Sequence, residues 1–216
     1  MSPWHRDAVL HKVRTALGRV AGEPAPPPPS PMMAVVEMDL ETRIRSFGER
    51  FEALAGQAVR VKNAPEAREW VASFLQGRSA VASNSRFLAD LGIHQLPGVQ
   101  SGFRESAALR AACAVTDMGI SSADFALAQT GTMVMIASPS EARLISLLPP
   151  VHVAVFPASR LLTGLDELLT ILPKPAERTS SMVLITGPSR TADIEQILVR
   201  GVHGPGQIYA VIVEGA

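Results

Sequence analysis

Apolar positions recur along the chain at two spacings, and together they predict an α/β architecture. Leu40, Ile44, Phe47, Phe51 and Leu54 fall on one stripe of a long helix that stops at Gly56. Ala58-Val59-Arg60-Val61-Lys62 is short and valine-bearing and reads as a strand. Asn63 and Pro65 then open a helix carrying Trp70, Val71, Phe74 and Leu75. Ser79 to Ser83 is a further strand, and Phe87, Leu88 and Leu91 mark a short helix. Leu109 to Cys113 closes another helix, and Ala114 to Asp117 reads as the strand after it. Met133 to Ala137, Val151 to Phe156 and Ile208 to Val213 are buried strands, with Leu165 to Leu172 a helix between the last two. Residues 119–129 fit either a strand hairpinned about Thr130-Gly131 or one helical turn, since periodicity does not separate the two. This rhythm of helix and strand predicts a mostly parallel sheet with helices on both sides.

One stretch organises the rest. Met182 to Ile185 is apolar without alternation, the pattern of a strand covered on both faces. Thr186-Gly187-Pro188 breaks it, and Ser189 reads as the N-cap of a helix in which Ile194, Ile197 and Leu198 share a face. Asp193, Glu195, Gln196 and Arg200 then face away, and Gly201 ends the helix in a left-handed cap. A strand feeding a helix in this way leaves free amides and the positive end of the helix dipole, to which Arg190 adds a planar fork of donors for a carboxylate or phosphate. A purely structural turn, with Arg190 solvated, is the competing reading.

At the other end, Ser2-Pro3 followed by Val9, Leu10, Val13 and Leu17 reads as a short amphipathic helix. The proline-rich run 22–31 reads as a stiff polyproline II spacer. Residues 1–31 therefore read as an arm, through which copies of the chain can associate, and 32–216 as the α/β domain. Twenty basic and twenty acidic residues cancel, so no global field draws the chain to nucleic acid or an anionic membrane. No apolar run approaches the ~20 residues of a bilayer span. The charged N-terminus, with His5, Arg6, His11, Lys12 and Arg14, is unlike a secretory leader, and a cytoplasmic location is expected. Cys113 is the only cysteine, so an internal disulfide is excluded and an iron–sulfur cluster cannot be held by this chain alone.

Standard catalytic signatures are missing. No phosphate-binding P-loop occurs, and Gly201, Gly204 and Gly206 precede a strand instead of opening a helix as a dinucleotide fingerprint would. Gly187-Pro188-Ser189-Arg190-Thr191 imitates a nucleophile elbow but lacks its final glycine. The five histidines show no metal-ligand spacing, so no metal site is expected. Polar bends remain at Thr130-Gly131-Thr132, Gly187 to Thr191 and His203-Gly204-Pro205. In an open α/β sheet such bends gather beyond the carboxyl ends of the strands, where ligands sit. The candidate ligand-binding residues are Thr130, Gly131, Thr132, Gly187, Ser189, Arg190, Thr191 and Gly204. His203, set among turn glycines, is the candidate acid–base residue, and Glu195, one turn into the helix, either reaches the same pocket or faces solvent. His152, between two valines, reads as a core or interface histidine, and Arg143 with nearby Glu141 as a surface pair.

The bend at 130–132, Leu147-Leu148-Pro149-Pro150, the run Thr186 to Glu195 and Gly201-Val202-His203-Gly204-Pro205 together resemble the LUD-domain family, specifically its lactate utilization protein C members. The similarity covers roughly residues 35–213. The resemblance implies a three-layer α/β/α sandwich like that of sugar-phosphate isomerases, CoA transferases and formyltetrahydrofolate cyclo-ligases. It implies a cluster-free subunit in bacterial oxidation of L-lactate to pyruvate, with two iron–sulfur proteins as partners, the clusters residing on them. The family resemblance implies Glu before Thr-Gly-Thr in many relatives where this chain has Gln129, and an amide cannot act as the acyl-forming carboxylate of a CoA transferase. The alternative is an independent enzyme acting on a phosphorylated or CoA-linked acid.

Overall fold

The structure is a computed structural model that describes residues 6–20, 22, 24, 27, 36–192 and 198–216. The chain divides into two compact units, Met1–Ala34 and Val35–Ala216. The first holds helix α1 (Arg6–Ala16), whose apolar positions Val9 and Val13 are exposed, as is Leu17 just beyond it. The Ser2-Pro3 cap and most of the proline run lie outside the described residues.

In the second unit, local chemistry sets the first elements. Helix α2 (Leu40–Ala53) starts where Asp39 accepts from the Thr42 amide (2.9 Å) and hydroxyl (2.8 Å), and it buries Ile44, Phe47 and Phe51. Strand β1 (Gln57–Val61) leads into α3 (Ala64–Leu75), capped by Asn63 accepting from the Glu66 amide at 3.0 Å. There follow β2 (Ala80–Ala82), α4 (Arg86–Asp90), β3 (Val99–Gln100), α5 (Ser106–Val115) and β4 (Met118–Ser121). Next come β5 (Phe125–Leu127), β6 (Thr132–Ile136), β7 (Val151–Pro157), β8 (Leu161–Leu162) and α6 (Leu165–Ile171). The chain ends with β9 (Met182–Ile185), β10 (Arg190–Ala192), β11 (Leu198–Arg200) and β12 (Gln207–Val213).

The main sheet has six parallel strands in the order β1-β12-β7-β4-β2-β3. One face packs on α3 and α4, with Val71, Leu75 and Leu88 against Ile120, Val153 and Val211. On the other, Phe47 and Phe51 of α2 meet Phe156 and Ile212, with the Phe47 and Phe156 rings edge to face at 5.9 Å. A four-stranded mixed sheet, β8-β5-β6-β9, and helix α5 share that second face. The α/β fold with a mostly parallel sheet is as expected, and the choice left open at residues 119–129 falls to strands, with β5 and β6 hairpinned about Thr130-Gly131.

Three local expectations fail. Ala114 and Val115 extend α5, and the strand starts only at Met118, because Asp117 is spent in the connection, accepting from the Ser79 amide (2.8 Å) and hydroxyl (2.7 Å). Met182 to Ile185 is an edge strand of the second sheet and not a doubly covered one, with Leu184 42% exposed. The helix expected after Ser189 is instead an antiparallel ribbon, with Arg190 opposite Arg200 and Ala192 opposite Leu198. Residues 193–197 lie outside the described residues. The ladder and two flanking bonds, Ser189 amide to Pro205 carbonyl and Gly201 amide to Ser189 carbonyl, each 3.0 Å, occupy the backbone groups that a helix start would leave free. Gly201 does hold a positive φ (+82°), but it closes a ribbon.

Candidate functional site

The C-terminal end of α2 draws two of the polar bends together. Gly131, at φ +61°, lies so close to α2 that a Cβ there would stand 2.4 Å from the Phe51 amide nitrogen. A Cβ on Gly187 would stand 2.9 Å from the Leu54 carbonyl oxygen, and Arg190 donates a hydrogen bond to that same carbonyl. Thr132 links the two bends, its hydroxyl hydrogen-bonded to those of Thr130 (2.7 Å) and Thr186 (3.1 Å). The third bend joins through the Ser189–Pro205 backbone bond.

These bends are contiguous, but only two of them open on one groove. Thr186, Gly187, Ser189, Arg190, His203 and Gly204 line an open groove of about 650 Å³, its open mouth included. The buried Gly131 and Thr132 instead face α2 and the threonine ladder, with Thr130 exposed beside them. Thr191 lies in β10, and Glu195 falls outside the described residues. The groove lies at the amino ends of the parallel strands β7 and β12, which follow Leu147 and Pro205, so the expected placement beyond the carboxyl ends does not hold for it.

Two arginines give the groove its chemistry. Arg143 is half-buried and donates to the Ser146 hydroxyl at 2.7 Å, and no carboxylate among the described residues pairs with it. Burial pulls its pKa below the usual arginine value. It is thus part of the groove lining, and the surface pair with Glu141 does not form. Among the described residues no acidic side chain lines the groove. Arg190, exposed, covers the Leu54 carbonyl at the end of α2, and its guanidinium carries further donors suited to a carboxylate. His152 is fully buried, with Nε2 2.7 Å from the Ser121 hydroxyl and Nδ1 without a partner. Burial, and then Arg143, push its pKa down to about 3, so it is a neutral core histidine as expected.

A second concavity escapes sequence reasoning. Beyond the carboxyl ends of β2, β4 and β7, Ser85, Ser122, Asp124, Ser138, Ser140 and Glu141 line a cleft. Chain order reverses there, since β2 leads outward to β3 while β4 lies on its other side, the switch point at which open α/β sheets bind ligands. Glu141 is 9% exposed, and its Oε1 accepts from the Ser83 hydroxyl (2.9 Å) and the Ser122 amide (3.1 Å). Desolvation pushes its pKa up to about 7, against those hydrogen bonds and with help from the charge of Asp124. Asp124, also raised by burial, accepts from the Ile136 amide at 2.7 Å. In the sequence, Glu141 sits in a polar Ser-Pro-Ser-Glu run that looks solvated, and only the tertiary fold buries it.

Among the described residues no group of three His, Cys, Asp or Glu comes together to hold a metal, and no helix is long and apolar enough to cross a membrane. Lactate utilization protein C of Halalkalibacterium halodurans is 39% identical over 102 residues, covering 45% of this chain and 44% of the relative. The protein of the same name from Exiguobacterium sp. is 40% identical over 101 residues, with 45% and 44% covered. The chain therefore aligns with under half the length of the curated relatives it matches. A crystal structure of a DUF162 family protein from Deinococcus radiodurans superposes with a TM-score of 0.64 over 82% of this chain and 99% of that one at 15% identity, a likeness of fold. The LUD domain model matches residues 44–213, and the chain belongs to the LUD-domain family.

Proposed function

We propose that this chain is the cluster-free component of a bacterial L-lactate utilisation system, working beside two iron–sulfur proteins and holding a small carboxylate in the groove between Arg143 and His203. The single observation that supports carboxylate binding is the composition of that groove: two arginines and a histidine line it together with serine hydroxyls and two glycines, and among the described residues no acid opposes them. A carboxylate between Arg143 and Arg190 receives charge-assisted hydrogen bonds in a partly desolvated setting, each worth about 1.5–3 kcal/mol. The names of the relatives support the metabolic setting. His203, an exposed groove residue, is the group placed to exchange a proton with the ligand.

The test is calorimetric titration of L-lactate and pyruvate into the full chain, its Arg143→Ala and Arg190→Ala variants, and Phe87→Ala as a control outside the groove. Binding that weakens about tenfold or more in each arginine variant, and stays unchanged in the control, is expected. Pull-down with the iron–sulfur partners from a lactate-grown bacterium tests the assembly. Absence of binding to either acid, together with no co-purification, overturns the proposal.

A further inference from the structure

The cleft at the opposite, carboxyl-terminal end of the main sheet has chemistry unlike that of the groove. Its lining combines the hydroxyls of Ser85, Ser138 and Ser140 with the carboxyls of Asp124 and Glu141, and Phe87 and Pro157 supply apolar wall. Hydroxyls and carboxyls suit a ligand that donates and accepts many hydrogen bonds at once, while apolar walls suit its C–H faces. Glu141 adds an independent indication. The Ser83 and Ser122 bonds both fall on Oε1, and the nine-tenths buried side chain lines the cleft. The Ser85 hydroxyl also bears on the carboxyl and favours its charged form. A mostly buried carboxyl carries a desolvation cost that a donating ligand hydroxyl would reduce.

The hairpin that presents Glu141 is itself well fixed. The Ser138 amide donates to the Glu141 carbonyl (3.1 Å), the Glu141 amide to the Ser138 hydroxyl (3.0 Å), and the Asn84 amide to the Ser140 carbonyl (2.9 Å). Glu141 is thus held over the ends of β2 and β4 before any ligand arrives.

We infer that this cleft is a second ligand site, taking a small polyhydroxylated compound with one hydroxyl donating to Glu141 Oε2 and others meeting the serine hydroxyls. Asp124 beside β5 bears on Glu141 by its charge, Arg160 after β7 and Arg86 on α4 line the same cleft, and His94 is hydrogen-bonded to the Ser83 carbonyl (2.8 Å). An ionised carboxylate accepts from a hydroxyl more strongly than the neutral acid does, so affinity rises as Glu141 loses its proton. Bound polyol in turn favours the ionised form.

The experiment is amide chemical-shift mapping by NMR on the full chain, titrated with erythritol, ribitol and D-ribose at pH 6 and pH 8. Shifts should fall on Ser83, Ser85, Ser122 and Glu141, and affinity should tighten about threefold or more from pH 6 to pH 8. Glu141→Gln, which preserves shape, should keep a weak and pH-independent affinity, and Glu141→Ala should lose binding. Arg143→Ala should weaken carboxylate binding in the groove while leaving the polyol-induced shifts in the cleft as they are, so failure of this site and failure of the carboxylate groove read out separately. No shift at these amides with any probe at 100 mM overturns the inference, as do shifts confined to the groove or an unaltered pH response in Glu141→Gln.

Discussion

Replacing Glu141 by Gln should convert a pH-dependent penalty on folding into a constant. In the folded chain the carboxyl is buried against Ser83 and Ser122 and holds its proton up to about pH 7, whereas its ordinary value is 4.5. Between those values the native state binds more protons than the unfolded one, so wild-type stability falls as pH rises through this window. At about 1.36 kcal/mol per unit, the loss from this residue is about 3 kcal/mol, complete above about pH 7. Glutamine keeps a carbonyl oxygen for the two donors and carries no charge. Urea unfolding of both proteins from pH 4 to pH 8.5 gives the difference directly, and shared groups such as Asp39, Asp117 and His152 cancel in it. The variant should gain on wild type by about 3 kcal/mol between pH 4 and pH 8. Part of that gain comes through Asp124, whose burial-raised carboxyl is relieved of a neighbouring charge. A stability difference flat across this range would refute the reasoning.

Other perturbations test the packing around the bends. Gly131→Ala combines a positive φ with a Cβ driven into the Phe51 amide, and equilibrium unfolding should show a loss of about 2–4 kcal/mol. Phe47→Ala removes a fully buried ring from its contacts with Phe51 and Phe156 and should cost about 3–5 kcal/mol by the same assay. Ser121→Ala takes the partner of His152 Nε2 and should cost about 1–3 kcal/mol, since neither ring nitrogen then has one. In NMR titration the His152 ring should stay neutral from pH 8 down to pH 5, because burial holds its pKa near 3. Protonation between pH 6 and pH 7 would contradict its place in the core.

What could be read from the residues was whatever local chemistry decides. Asp39 and Asn63 announce helix starts by capping, and the unbroken run Val151 to Phe156 announces a strand covered on both faces. The 189–201 segment misleads because Ile194, Ile197 and Leu198 sit at helical spacing, while the ribbon depends on register between Arg190 and Arg200 and on Pro205 across the turn. Non-local pairing of that kind leaves little trace in periodicity. Met182 to Ile185 misleads for a related reason: an apolar edge strand reads like a central one. The polar bends were legible as bends, with Gly131 and Gly187 marking close backbone approach. Their common neighbour, the end of α2, was not. Glu141 was missed because its burial comes from strand ends distant in sequence, Ser83 and Ser122 supplying its donors.

A crystal structure of the full chain soaked with pyruvate shows whether the groove is a carboxylate site. The ligand's carboxylate is expected in the groove, within hydrogen-bond distance of the Arg143 guanidinium and on the same side as Ser189 and His203. Pyruvate bound at the Glu141 cleft with the groove empty, or no ordered pyruvate at all, would contradict this.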